Sequence, residues 1–109
     1  MTLSTHVLDA STGRPAAGMG VLLERQSAEG GWAVSEAGTT DGDGRLRLPG
    51  VTPAGIYRIT FASGGYFAAR GVPTFYPEVT VTFEATSDTD HYHVPLLLSP
   101  FAYSTYRGS

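Results

Sequence analysis

The chain has 109 residues, of which 41% are hydrophobic and 16% charged, and its formal net charge is −3. This length and composition predict one domain over residues 1–109, with enough apolar material for a single core and too little charge for a disordered chain. The seven basic residues are all arginines scattered along the chain, so we expect no nucleic-acid partner.

The chain contains no cysteine, which rules out a disulfide framework and a thiolate nucleophile and suits a reducing compartment. Its N-terminal segment lacks a basic stretch followed by an apolar run, and no stretch approaches the ~18 apolar residues of a membrane helix. We therefore expect a cytoplasmic protein with no signal peptide and no membrane partner.

Short runs rich in Val, Thr, Tyr, Phe and Leu alternate with glycines and prolines, a pattern typical of an all-β domain. Eight strands are predicted, in chain order Leu3–Leu8, Val21–Gln26, Trp32–Ala37, Arg45–Leu48, Ile56–Ala62, Glu78–Ala85, His91–Leu98 and Phe101–Arg107. One short helix is predicted over Tyr66–Arg70, between glycines. "DASTGRPAAG" is interpreted as a long turn, and "TDGDG" as a tight turn that leads into Arg45. The predicted fold is a two-sheet sandwich with one short helix.

The two-residue period of a strand separates the faces of the segments that carry histidine. In His91–Leu98, one face is apolar, and the other carries His91, His93, Pro95 and Leu97. In Leu3–Leu8, the second face carries Ser4, His6 and Leu8, and Ser104, Tyr106 and Gly108 share a face near the C-terminus. Faces that mix apolar and polar groups in this way indicate a partner surface or a ligand.

The residues alone leave several interpretations open. His91 and His93 project from the same side of a strand, and His6 could join them as a third metal ligand, but no cysteine or ordered acidic spacing accompanies them. We therefore expect no metal and no other cofactor. Ser99 and Ser104 lie outside any Gly-x-Ser-x-Gly elbow, and "AEGGW" lacks the lysine of a phosphate-binding loop. On spacing alone, Arg45 is a solvated arginine at the start of a strand.

Four segments together resemble the transthyretin-like 5-hydroxyisourate hydrolases over essentially the whole chain. They are "STHVLDASTGRPAAG", "TDGDGRL", "FYPEVTVTF" and "HYHVPLLLSPFAYSTYRGS", in this order. The most specific element is the ending "YRGS", which marks the hydrolases and is missing from the hormone-carrying transthyretins. The resemblance implies an eight-stranded transthyretin-like sandwich that assembles as a homotetramer, a dimer of dimers, with active sites between the dimers.

The resemblance also implies an activity in urate degradation, which is the hydrolysis of 5-hydroxyisourate to 2-oxo-4-hydroxy-4-carboxy-5-ureidoimidazoline. Arg45 would bind and polarise the planar substrate, because a guanidinium offers a fork of donors and stays charged. His6 and His93 would handle protons, and the sequence does not say which of them is the base.

Four further residues near the C-terminus are expected to bind substrate. Tyr106 and Ser104 would orient the ring through their hydroxyls, Gly108 would allow close backbone approach, and Ser109 would carry the chain-end carboxylate. The alternatives are a non-catalytic transthyretin-like carrier of small molecules and a purely structural sandwich. Neither accounts for two imidazoles beside a guanidinium.

Overall fold

The computed structural model describes residues 2–48 and 53–109; the predicted domain 1–109 therefore includes five positions outside the described residues. Within this part of the chain there are nine strands and one helix. The strands are β1 Thr2–Asp9, β2 Arg14–Pro15, β3 Gly20–Gln26, β4 Trp32–Thr39, β5 Arg45–Leu48, β6 Gly55–Phe61, β7 Val79–Ala85, β8 His91–Ser99 and β9 Ala102–Thr105, and the helix is α1 Ser63–Ala68. The predicted all-β fold is confirmed.

Two sheets face each other. The first has the order β2-β1-β8-β9, with β5 also paired to β1, and the second has the order β4-β3-β6-β7. Every strand pair is antiparallel except β1 and β8, which run parallel over eight register positions from Thr2↔His91 to Asp9↔Leu98. This parallel pair brings the start of the chain against the histidine-bearing strand.

The core lies between the sheets and follows the predicted alternation. On β1, Leu3, Thr5 and Val7 are buried, and on β8 every second residue from Tyr92 to Leu98 is buried. The Thr5 hydroxyl donates to the Val94 carbonyl oxygen at 2.6 Å, so this buried polar group is satisfied. The opposite faces of these two strands are therefore available for chemistry.

The structure adds one strand to the eight that the sequence predicts. Within the predicted long turn, Arg14–Pro15 pairs with Leu8 and Asp9 on β1. Two residues carry too little alternation to be recognised from sequence. A proline is tolerated there because the strand lies at the sheet edge, where its missing N–H leaves no ladder position unfilled.

The helix begins at Ser63, three residues before the predicted start at Tyr66, and ends at Ala68. Gly64 and Gly65, the glycines before the predicted start, lie inside the helix, and Gly64 closely approaches the backbone of Pro77. Its N–H donates to the Pro77 carbonyl oxygen at 3.0 Å, and a Cβ at Gly64 would lie 2.4 Å from that oxygen. The chain leaves the helix through Gly71, whose φ of +68° favours glycine. No helix in residues 2–48 and 53–109 is both long and apolar enough to cross a bilayer.

Candidate active site

A tight turn places Arg45 beside His6. The Asp41 carboxylate accepts hydrogen bonds from the backbone N–H groups of Asp43 and Arg45, both at 2.9 Å. Gly44 has a φ of +74°, and a Cβ there would lie 2.4 Å from the Val7 carbonyl oxygen, so the turn requires glycine at this position. The strand that follows pairs with β1 so that Arg45 lies directly opposite His6.

The parallel pairing of β1 with β8 places Ser4 directly beside His93. The Ser4 hydroxyl lies 2.8 Å from His93 Nδ1 and 3.0 Å from His91 Nε2, and Thr2 Oγ1 lies 2.5 Å from His91 Nδ1. Both nitrogens of His91 are therefore engaged by hydroxyl groups, whereas one nitrogen of His93 remains for other chemistry.

The C-terminal segment folds back over β8. The Gly108 N–H donates to the His93 carbonyl oxygen at 2.8 Å, and the Arg107 guanidinium lies 4.7 Å from the centre of the Tyr92 ring. A Cβ at Gly108 would lie 2.5 Å from His93 Cδ2, so only glycine allows the backbone to pack this closely against the imidazole. The segment thereby brings Ser109 to the edge of the histidine face.

The start of β5, together with β1, β8 and the C-terminal segment, lines a cavity of about 250 Å³ that is open to solvent. Its lining residues are Ser4, Thr5, Arg45, Leu46, Arg47, His91, His93 and Ser109. Two guanidiniums, two imidazoles, the Ser4 hydroxyl and the chain-end Ser109 thus converge on a space that suits a small, planar, polar molecule.

The environment of His93 favours the neutral imidazole. Burial lowers the pKa of His93 below its ordinary value of 6.5, and the charges of Arg45, His6 and His91 lower that pKa further. A neutral imidazole can accept a proton near pH 7, which is the requirement for a general base.

Comparison with known proteins decides the family. A profile described as the HIUase/Transthyretin family matches residues 3–108. The chain belongs to this family. A 5-hydroxyisourate hydrolase from Salmonella dublin is 48% identical over 110 residues, which cover 98% of this chain and 80% of the relative.

Two solved structures show how closely the fold is shared within the HIUase/Transthyretin family. The Klebsiella pneumoniae 5-hydroxyisourate hydrolase superposes with a TM-score of 0.89 at 37% identity, covering 100% of both chains. Sea bream transthyretin in complex with thyroxine superposes with a TM-score of 0.92 at 34% identity, covering 97% of this chain and 93% of that chain. Because a hydrolase and a thyroxine-binding protein share the fold, the side chains of the cavity must distinguish their activities.

The cavity brings together three of the predicted site residues of this family member, which are Arg45, His93 and Ser109. Gly108 contacts the His93 ring from behind. His6 lies next to Arg45 in the sheet but does not line the cavity, because its Nε2 donates to the Asp43 carbonyl oxygen at 2.8 Å.

The other two predicted residues lie apart from this cavity in a single chain. Tyr106 is 59% exposed and lines a neighbouring cavity of about 300 Å³ that shares His93 with the first. Ser104 is exposed and pairs with Leu97 across β8 and β9. Their contacts with substrate stay predictions.

Five residues of the cavity were not predicted as site residues, which are Ser4, Thr5, Leu46, Arg47 and His91. The signal was present, because the two-residue period places Arg47 on the face of Arg45 and Ser4 on the face of His6. In the described part of the chain, no group of three His, Cys, Asp or Glu side chains is arranged to hold a metal ion. That the reaction needs no metal stays a prediction.

Proposed function

We propose that this protein is a 5-hydroxyisourate hydrolase, which opens the six-membered ring of its substrate to give 2-oxo-4-hydroxy-4-carboxy-5-ureidoimidazoline. The observation that carries the proposal is the partly buried imidazole of His93, whose pKa is lowered by burial and by nearby charges, in a cavity that Arg45 also lines. The similarity to hydrolases at 48% and 37% identity supports it.

The reaction needs a base for water and a donor for the developing oxyanion. In the proposed mechanism, His93 removes a proton from water, and the water oxygen bonds to the amide carbonyl carbon; a role for His6 in handling protons would require the assembled site, because His6 does not line the cavity of a single chain. The ring C–N bond then breaks, and the proton passes to the departing nitrogen. Arg45 holds the carbonyl oxygen and stabilises its negative charge, because its guanidinium remains cationic at every working pH.

The same proposal includes an assembly of four chains with the cavity at an interface between dimers. In a single chain, Tyr106 is exposed and the cavity is open to solvent, so a neighbouring subunit would exclude water and strengthen the electrostatic interactions of Arg45. The substrate contacts of Tyr106, Ser104, Gly108 and Ser109 belong to this assembled site. The cytoplasmic location stays a prediction.

The activity is tested by generating 5-hydroxyisourate with urate oxidase and following its ultraviolet absorbance after this protein is added. A hydrolase accelerates the decay at substoichiometric concentration and turns over repeatedly. A carrier would bind one equivalent and leave the decay unchanged or slower. The latter result would favour the alternative of a non-catalytic transthyretin-like carrier. That role does not explain why arginines lie beside imidazoles in the cavity.

A further inference from the structure

Hydroxyls and imidazoles alternate in a continuous hydrogen-bonded chain between β1 and β8. It runs from Thr2 Oγ1 to His91, from His91 Nε2 to the Ser4 hydroxyl at 3.0 Å, and from that hydroxyl to His93 Nδ1 at 2.8 Å. This series of hydrogen bonds follows from the parallel register, in which Thr2 lies beside His91 and Ser4 beside His93. It begins at an exposed residue and ends at the imidazole in the cavity.

The hydrogen bonds at Ser4 can run in one of two donor-to-acceptor directions, because a hydroxyl donates one hydrogen bond and accepts others. If Ser4 donates to His91 Nε2, it accepts from His93 Nδ1, so the His93 proton is on Nδ1 and the lone pair is on Nε2. If Ser4 donates to His93 Nδ1 instead, the His93 proton is on Nε2. The tautomer of His93 is therefore coupled to the orientation of one hydroxyl group.

The two arginines of the cavity favour the first direction, in which Ser4 donates to His91 Nε2 and accepts from His93 Nδ1. Gly108 covers the Cδ2 edge of the His93 ring, and no protein group within the described residues bonds to Nε2. The same cavity holds the guanidiniums of Arg45 and Arg47, which outnumber the single chain-end carboxylate carried by Ser109. A lone pair on Nε2 is attracted to these cations, whereas an N–H dipole pointing into the cavity would be repelled by them.

We propose that Ser4 is a positioning residue that holds His93 in the Nδ1–H tautomer, and that His91 fixes the direction of the Ser4 hydrogen bond by accepting its proton. Nε2 is then the basic atom of His93. The catalytic consequence rests on the proposed hydrolase function, but the tautomer does not. The hydroxyl of the neighbouring residue, Thr5, instead donates to the backbone carbonyl oxygen of Val94.

The tautomer can be measured on the full chain without substrate, by NMR of protein labelled with ¹⁵N-histidine, because protonated and unprotonated ring nitrogens have different shifts. The wild type should show an unprotonated Nε2 in His93. Ser4→Ala should populate the Nε2–H form and lower kcat about 10- to 100-fold, the usual cost of losing a group that orients a catalytic imidazole, with a smaller change in KM. Ser4→Thr keeps the hydroxyl and should restore both properties.

Two further variants complete the experiment. His91→Ala removes the acceptor and should also populate the Nε2–H form, which keeps the proposal testable if Ser4→Ala does not fold. Ser99→Ala removes a hydroxyl at the far end of β8, which donates to the Ala102 carbonyl oxygen on β9, and should leave the His93 tautomer unchanged.

The proposal is overturned if wild-type His93 has its proton on Nε2, or if a folded Ser4→Ala variant keeps the wild-type tautomer and kcat. A wild-type protein with the expected tautomer but no hydrolase activity would instead contradict the proposed function and leave the positioning role of Ser4 standing.

Discussion

His93 acquires its chemical character from groups that are distant in sequence. Ser4 engages one ring nitrogen, the backbone of Gly108 packs against the ring carbon Cδ2, and Arg45 supplies a nearby positive charge. The contacts with Ser4 and Gly108 involve small groups on the backbone framework, so they restrict the movement of the imidazole. Changes at a contact should therefore affect catalysis without unfolding the sandwich.

Gly108→Ala should displace the His93 ring, because the added Cβ would lie 2.5 Å from Cδ2. We expect kcat/KM for 5-hydroxyisourate to fall at least about tenfold, since small displacements of a catalytic group are costly. The free energy of unfolding should change little, because the substitution lies in the C-terminal segment after the last strand. Gly65→Ala, where a Cβ would meet nothing within 4 Å, is the matched control. Wild-type activity in Gly108→Ala would show that the ring position is not critical.

The pH profile should report the depressed pKa of His93. A base with a lowered pKa stays neutral to lower pH, so the acidic limb of kcat/KM should have its midpoint below 6.5. Arg45→Gln removes one of the charges that lower this pKa and should move the midpoint upward, while burial, the largest cause, keeps it below 6.5. The midpoint of the acidic limb can be measured even though Arg45→Gln also lowers the rate. Arg14→Gln is the control. If the midpoint in Arg45→Gln equals that of the control, the charge of Arg45 does not lower the pKa of His93.

At the scale of secondary structure, local patterns predicted β1, β6 and β8 well because alternate residues of these strands are buried, whereas β4 and β9 contain no buried residue. The helix boundary was misplaced because Gly64 serves a close approach to Pro77, a tertiary contact that local propensity does not contain. Arg45 and His93 could be predicted as site residues through family resemblance. The Ser4 and His91 contacts could not, because they depend on β1 and β8 being neighbours and parallel.

The helix is attached to the first sheet through one buried hydrogen bond. The Tyr66 hydroxyl donates to the Asp9 carboxylate at 2.9 Å, and Ser11 donates to the same carboxylate. Burial alone would raise the pKa of Asp9, but the hydrogen bonds from Ser11 and Tyr66 outweigh it and hold the pKa below 3.8. Asp9 thus stabilises the fold above pH 3.8, and that contribution is lost as the pH falls through its lower folded-state pKa.

Tyr66→Phe should lower the free energy of unfolding by about 1.5–3 kcal/mol at pH 7, the usual range for a hydrogen bond to a charged group. Urea denaturation measures this change, and the stability lost between neutral pH and pH 3 should be smaller than in the wild type. Tyr103→Phe, at a site 41% exposed, should change stability by less than about 0.5 kcal/mol. Equal stability of Tyr66→Phe and wild type would mean that the helix is held by packing alone.

At the scale of the whole molecule, apolar groups are exposed on β8 of the first sheet and on the segments that flank the edge strand β9. Leu97, Phe101 and Tyr106 are 39%, 67% and 59% exposed, and β9 is an edge strand. Exposed edges and apolar surface of this kind are commonly covered by another chain. This surface adjoins the cavity through His93 and the C-terminal segment.

Sedimentation should therefore give a mass of about four chains of 11.5 kDa each, with activity lost on dissociation, because symmetric assembly buries self-complementary surface. The experiment is run at the protein concentration of the activity assay. A fully active monomer would contradict the interfacial site while leaving the assignment of His93 intact.

In the proposed function, the imidazole of His93 in this cavity catalyses the hydrolysis of 5-hydroxyisourate. The most direct test is the decay of 5-hydroxyisourate absorbance with wild type and with His93→Ala, which keeps the backbone hydrogen bond to Gly108. Val34→Ala, at an exposed site on the other sheet, controls for substitution alone. We expect a loss of about 10²–10⁴-fold in kcat for His93→Ala and none for Val34→Ala, with both variants folded. A folded His93→Ala protein with wild-type turnover would contradict this role of His93.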